Sequence, residues 1–184
     1  EEVSAEEREL ALIEAERLME LGNIEFNQSH YDKALLCYQD ALANFKNHGN
    51  RAGEGRVLGV VGIVYHRQGA YDEAIATYTQ SIAIAREIGD KRNEGVHLGN
   101  LGSVYEAQGQ YDPAIKHFTQ AIAIAREVGD KLNEGCHLGN LGNVYHTQGE
   151  FDQAIVHYTQ SIAIAREIGD KLNEGIHIGN LGLI

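Results

Sequence analysis

The sequence has few cysteines, one proline and no long apolar run, and each shortage excludes a class of protein. Only Cys37 and Cys136 are present among 184 residues, which excludes a disulfide framework and favours a reducing, cytoplasmic setting. The single proline, Pro113, leaves no Pro-rich linker. No segment resembles a membrane span or a signal peptide. Because the chain begins with Glu1 and stops abruptly at Ile184, we expect it to be a segment of a longer protein.

Basic residues are also scarce. The chain has 15 Lys and Arg against 27 Asp and Glu, a net charge of −12. Residues 1–20 alone hold eight Glu against two Arg, a net −6 that is half of the total. An acidic chain without a basic run lacks the electrostatic footprint of a nucleic-acid binder. It would also be repelled by an anionic membrane surface, so we expect neither partner.

A 40-residue unit is repeated along the chain. Residues 95–134 align with 135–174 without a gap, and 29 of the 40 positions are identical. The constant period predicts one stacked array over 1–184 rather than domains joined by linkers. The copies of the unit are 15–54, 55–94, 95–134, 135–174 and the partial 175–184.

Each unit is predicted to form two helices. Leu98, Leu101 and Tyr105 are spaced as one helical stripe. Gly129 predicts a left-handed stop after the second helix, and Asp130 can cap the helix that follows. Nothing alternates with a period of two, so the fold class is all-α, without strands. The second stripe of the same unit consists of Ile115, Phe118, Ile122 and Ala125.

The first helix of each unit is rich in glycine, with Gly95, Gly99 and Gly102 in one copy. Each costs about 1 kcal/mol relative to alanine in a helix interior. We therefore expect neighbouring helices to pack closely over these positions, so that stability comes from stacking between repeats.

The two ends of the array differ. Ser4 and Glu7 have the spacing of a capping box, and a long acidic helix within 4–28 is predicted to cap the array. Residues 175–184 begin a helix without such a cap. This uncapped end makes end-to-end self-association an alternative role.

These units resemble the tetratricopeptide repeat. The resemblance covers nearly the whole chain, although the usual period is 34 and Arg126 stands where a proline is usual. The 40-residue period is similar to the long-repeat subclass of the Pins/LGN adaptors and of bacterial signalling proteins. The matching residues in one copy are Leu98, Leu101, Gly102, Tyr105, Gly109, Tyr111, Ala114, Phe118 and Ala121.

The resemblance implies an α-solenoid of antiparallel helix hairpins that forms a right-handed superhelix. Its first helices would line a concave groove that binds a protein or peptide. It thus predicts an interaction scaffold, with a spacer or the sensor arm of a larger signalling protein as alternatives.

Asn100, Asn140 and Asn180 share one repeat position on the face that the resemblance assigns to the groove. An amide both donates and accepts, so a ladder of amides can hold a peptide backbone. The competing interpretation is that each Asn bonds a neighbouring helix. Gly99 and Gly139, directly before two of these positions, would let a ligand approach the backbone or would allow close helix packing.

Less repetitive groove positions are candidates for choosing the partner's sequence, with solvated surface as the alternative. By analogy with the family they include Arg56, Ile63, His66, Arg67, Ser103, Glu106, Asn143 and His146.

Other chemistry has no support in the sequence. His97, His137 and His177 are one residue copied by duplication, without the spacing of a metal site, so we expect packed or surface histidines and no metal. The Arg-Glu pairs at the ends of the second helices, such as Arg126-Glu127, suit the helix dipole and inter-repeat ion pairs. No phosphate loop or nucleophile elbow occurs, so we expect neither catalysis nor a cofactor.

Overall fold

The computed structural model describes residues 4–184, and within this range it contains nine α-helices and no strand. The predicted all-α class of paired helices is confirmed. The chain divides into two compact units, one ending at Asp90 and the other covering Lys91–Ile184. The helices are α1 (Ala5–Asn27), α2 (Tyr31–Asn47), α3 (Arg51–Gln68), α4 (Tyr71–Ile88), α5 (Lys91–Ala107), α6 (Tyr111–Glu127), α7 (Lys131–Thr147), α8 (Phe151–Ile168) and α9 (Lys171–Leu181).

Local signals set the helix ends as predicted. Ser4 Oγ accepts from the backbone of Glu7, and the Glu7 side chain accepts from the backbone of Ser4, which completes the capping box of α1. Asp130 caps α7 by accepting from the backbone N–H of Asn133. Gly129 has a φ of 70°, in the left-handed region that glycine adopts without steric cost. Ser29 has the same left-handed geometry without being glycine, with a φ of 62°.

In the first unit, α1 pairs with α2, α3 pairs with α4, and α2 packs on α3. The core of these helices includes the fully buried Tyr38, Phe45 and Val57. Burial of a large apolar side chain contributes about 1.5–3 kcal/mol, so a few such residues per hairpin dominate its stability.

In the second unit, α5 pairs with α6 and α7 with α8, while α6 packs on α7 and α8 on α9. Phe118 of α6 lies in a core shared with Leu138 and Val144 of α7. A Cβ on Gly102 would lie 3.0 Å from the ring of Phe118, closer than ordinary contact. The predicted close packing over the glycines is therefore confirmed here, because the aromatic ring occupies the space of the missing side chain.

Ion pairs join successive helices of the second unit. Arg126 Nε of α6 lies 2.7 Å from Glu134 Oε1 of α7, and Arg166 Nε of α8 lies 2.6 Å from Glu174 Oε1 of α9. Lys131 Nζ lies 3.7 Å from Glu167 Oε2, so a predicted ion pair between two copies of the unit is also present. Among residues 4–184, no helix is long and apolar enough to cross a membrane.

Candidate functional site

The asparagine ladder lies on three helices of the second unit. Asn100 of α5, Asn140 of α7 and Asn180 of α9 occupy the same repeat position and are half-buried. Asn180 Nδ2 donates to Asn143 Oδ1 at 3.1 Å, so this one amide does bond a neighbouring helix. Among residues 4–184, none forms a hydrogen bond with the side-chain amides of Asn100 and Asn140. Two of the three amides therefore retain donor and acceptor capacity.

Asn143 is held by two contacts at once. Its Oδ1 accepts from the hydroxyl of Tyr158 at 2.7 Å, in addition to the bond from Asn180. The first unit repeats this arrangement, since the hydroxyl of Tyr38 donates to Asn23 Oδ1 at 2.7 Å. The position predicted to choose the partner's sequence thus also anchors an aromatic ring of its own hairpin.

The signal for this pair was present in the sequence but was missed. At the equivalent positions of α5 and α6, Ser103 stands with Phe118, which has no hydroxyl to donate. Ser103 Oγ donates instead to the carbonyl of Gly99 at 3.3 Å. Asparagine therefore accompanies tyrosine in two repeats, and serine accompanies phenylalanine in a third. Ile63 with Tyr78 is the exception.

A cavity of about 240 Å³ brings several predicted residues together. It lies between α7, α8 and the end of α9, and the ring of His146 at its edge lies 5.7 Å from the ring of Phe151. The mixture of amide, phenol and apolar groups suits a side chain that has both a polar and an apolar part. The lining residues are Asn143, His146, Thr147, Tyr158, Asn180 and Leu183.

Glu106 is an acidic side chain close to Tyr158, one of the residues that line this cavity. The side chain is half-buried on α5, and burial raises the pKa of its carboxyl to about 7. Among residues 4–184, none forms a hydrogen bond or ion pair with this carboxyl. Burial also raises the pKa of the Tyr158 phenol, and the nearby charge of Glu106 raises it further. The two groups are therefore close enough to interact.

Gly99 and Gly139 do not open a path for a ligand. A Cβ on Gly99 would collide with the ring of His137, and one on Gly139 would collide with the ring of His177. The ligand-approach interpretation was wrong at both positions, because the next hairpin inserts an imidazole into the space that each glycine leaves.

The buried histidines of the second unit are packing residues. His137 is 6% exposed, and neither of its ring nitrogens has a hydrogen-bond partner. Burial lowers its pKa to about 4, so the ring is neutral at physiological pH. His157 stacks on Tyr145 with ring centroids 5.3 Å apart. Within residues 4–184, no three His, Cys, Asp or Glu side chains are grouped as a metal site would require.

The remaining predicted residues belong to the first unit. Arg56 of α3 pairs with Glu16 of α1 and lies 5.9 Å from the ring centre of Phe45. Arg56 therefore links α3 to α1 and α2, a role that its sequence position does not indicate. Burial and the charge of Arg67 lower the pKa of His66. Arg67 itself is exposed.

The helices, their 40-residue period and the glycine–aromatic contacts together define a helical-hairpin repeat protein. The family model for the tetratricopeptide repeat matches residues 14–87 and 93–167. The chain belongs to the tetratricopeptide-repeat family.

Solved structures with the same fold have low sequence identity to this chain. Aspartyl phosphate phosphatase F from Bacillus subtilis aligns with a TM-score of 0.87 and 17% identity, over 90% of this chain and 44% of that protein. BtubC from P. vanneervenii aligns with a TM-score of 0.74 and 18% identity, over 87% and 71%. A Rap protein complexed with competence and sporulation factor aligns with a TM-score of 0.83 and 17% identity, over 90% and 46%.

This chain thus spans less than half the length of the phosphatase and Rap proteins that it resembles. At such identity the likeness establishes the fold alone. A comparison of the sequence with curated proteins gives no match.

Proposed function

We propose that this chain is a protein-interaction scaffold whose second unit binds an extended segment of a partner protein. The observation that carries the proposal is the pair of half-buried amides of Asn100 and Asn140. They lie at one repeat position of α5 and α7 and form no hydrogen bond with other residues in 4–184. Half-buried amides gain from partners, because a desolvated polar group without a hydrogen bond is costly.

The spacing of the ladder suits a peptide backbone. Packed helices lie about 8–10 Å apart, and an extended chain advances about 3.3 Å per residue. Each repeat would therefore hold about three residues of the partner, with one asparagine amide for each such segment. Val60 and Glu20 occupy the ladder position in the first unit, so this mode of binding is proposed for the second unit only.

The family and the solved relatives support a binding role. One relative is a Rap protein complexed with competence and sporulation factor. Another is named as a phosphatase, but the sequence of this chain contains no phosphate loop or nucleophile elbow, so we assign it no catalysis. The 40-residue period favours the long-repeat subclass of adaptor and signalling proteins. A cytoplasmic location accords with the two free cysteines.

A displayed library of random 12-residue peptides, selected on the immobilised chain, tests this proposal. The wild type is expected to enrich peptides whose binding falls about tenfold or more in the Asn100→Ala, Asn140→Ala double variant, since two hydrogen bonds are lost. The matched control is Gln120→Ala, Gln160→Ala, which removes two exposed amides from α6 and α8. Peptides that bind all three proteins equally would refute the ladder as the binding element.

Self-association is the second candidate, and exposed apolar side chains of the second unit favour it. Leu172 and Ile176 of α9 are 73% and 46% exposed, and Leu183 is 76% exposed. A Cβ on Gly175 would meet nothing within 4 Å, whereas one on Gly135 would lie 3.2 Å from Ile164. Sedimentation velocity over a hundredfold range of concentration should then show dimers or larger species. A constant monomer would exclude this role.

A further inference from the structure

Glu106 differs from the other buried or half-buried glutamates of the second unit because no basic side chain among residues 4–184 pairs with it. Glu134 is buried and lies 2.7 Å from Arg126 and 3.4 Å from Lys131. Glu174 likewise has two cationic partners, Arg166 at 2.6 Å and Lys171 at 2.8 Å. At these two positions, basic side chains thus compensate for the cost of removing the carboxylate from water.

For the half-buried Glu106, no residue in 4–184 supplies such a partner. Removing a carboxylate from water without a compensating charge is unfavourable. The raised pKa of its carboxyl, about 7, is the consequence of that desolvation. An incoming positive charge would therefore gain more here than at an exposed carboxylate.

Glu106 lies near Tyr158, which is connected to the asparagine ladder through Asn143 and Asn180. Asn180 and Asn143, which are 37 residues apart, are in direct contact across α9 and α7. Glu106 stands the same number of residues before Asn143 in the sequence, and it lies close enough to Tyr158, the second partner of Asn143, for its charge to affect that phenol. Glu106 of α5, Asn143 of α7 and Asn180 of α9 thus form a row of acidic and amide side chains with equal spacing along the sequence.

Hydrogen bonding around Glu106 favours a cation over an anion. The Tyr158 hydroxyl already donates to Asn143, and the Asn143 oxygen already accepts two bonds. Neither group donates a hydrogen bond to the Glu106 carboxyl, which is therefore the acidic member of the row without a donor in residues 4–184. A charge-assisted hydrogen bond from an ammonium or guanidinium group is about twice as strong as a neutral one.

We infer that Glu106 is the subsite for a lysine or arginine side chain of the bound segment, adjacent to the row formed with Asn143 and Asn180. This inference rests on the proposed function, because it names the chemistry of the partner that the ladder holds. It predicts that selected peptides carry a basic residue at one fixed place.

The test extends the peptide selection. The wild type should enrich Arg or Lys at one position, and Glu106→Gln should lose that preference. The control Glu127→Gln, an exposed glutamate on α6, should keep it. One selected peptide is then made with arginine or with citrulline, its neutral isostere. Replacing arginine should weaken binding about tenfold in the wild type and in Glu127→Gln, but less than twofold in Glu106→Gln.

The outcomes separate the two proposals. Peptides that need Asn100 and Asn140 but show no basic preference would leave the proposed function standing and overturn the Glu106 subsite. A basic preference that survives in Glu106→Gln would also overturn it. A library that yields no ladder-dependent peptide would refute the proposed function and this inference with it.

Because Glu106→Gln removes an uncompensated charge, the urea midpoint of this variant should not fall below that of the wild type. An unchanged or higher midpoint excludes misfolding as the cause of a lost preference.

Discussion

Replacing His137 with leucine should remove an acid-sensitive element of the second unit. The imidazole lies over Gly99 of α5, with its centre 6.5 Å from the ring of Phe118 on α6. Both nitrogens are buried without hydrogen-bond partners. Leucine is apolar and of similar size, so it should fill the space over Gly99 without needing such partners.

The magnitude follows from the pKa of His137. Burial lowers it from 6.5 to about 4, and the charge of Asp130 opposes the shift only in part. Between these values the unfolded chain binds a proton that the folded chain does not, so the free energy of unfolding falls as pH is lowered from 6.5 to 4. Each pKa unit corresponds to about 1.4 kcal/mol, which gives a loss of about 3 kcal/mol.

Urea unfolding measured at intervals from pH 8 to pH 4 tests this prediction. Other titrating groups are common to both proteins, so the difference between wild type and His137→Leu isolates this ring. The difference should be constant above pH 7 and should then shift by about 3 kcal/mol in favour of the leucine variant by pH 4. Parallel curves over the whole range would refute the reasoning that His137 is held neutral by burial.

Three further substitutions test local features of the fold. Ser29→Gly should raise the free energy of unfolding by about 1 kcal/mol in urea titrations, because serine here is held in the left-handed region; a loss of stability would contradict this. Gly142→Ala should lower the melting temperature by an amount equivalent to about 1–3 kcal/mol, since the new Cβ would lie 2.7 Å from the Tyr158 ring, and an unchanged melt would show that the ring can move aside. Tyr158→Phe should cost about 1 kcal/mol through the lost bond to Asn143, and this cost should vanish when Asn143 is already replaced by Ser, as at Ser103 opposite Phe118.

The features that could be predicted from sequence depend on neighbours along the chain. The capping box of Ser4 and Glu7, the Asp130 cap and the left-handed Gly129 each involve residues within one turn. The helix pairs follow from a period repeated with little change. Even the close packing over Gly102 could be expected. A glycine within a helix lowers stability, and a contact with a neighbouring side chain can compensate for that loss.

The features that were missed depend on which side chains meet between helices. Two interpretations of Gly99 were open, and only the stacking of α7 on α5 places His137 in its space. Asn143 was recognised as a variable residue, but its bond to Tyr158 spans 15 residues and two helices. The burial of Glu106 is likewise a property of the stack, since nothing in its local sequence distinguishes it from an exposed glutamate.

The central claim is that the amides of Asn100 and Asn140 hold the backbone of a partner. A crystal structure of the chain with a library-selected peptide tests it most directly. We expect peptide N–H and C=O groups within hydrogen-bond distance of both amides, about three residues apart along the peptide, with a basic side chain at Glu106. A peptide lying away from α5 and α7, or amides that turn to neighbouring helices in the complex, would contradict it.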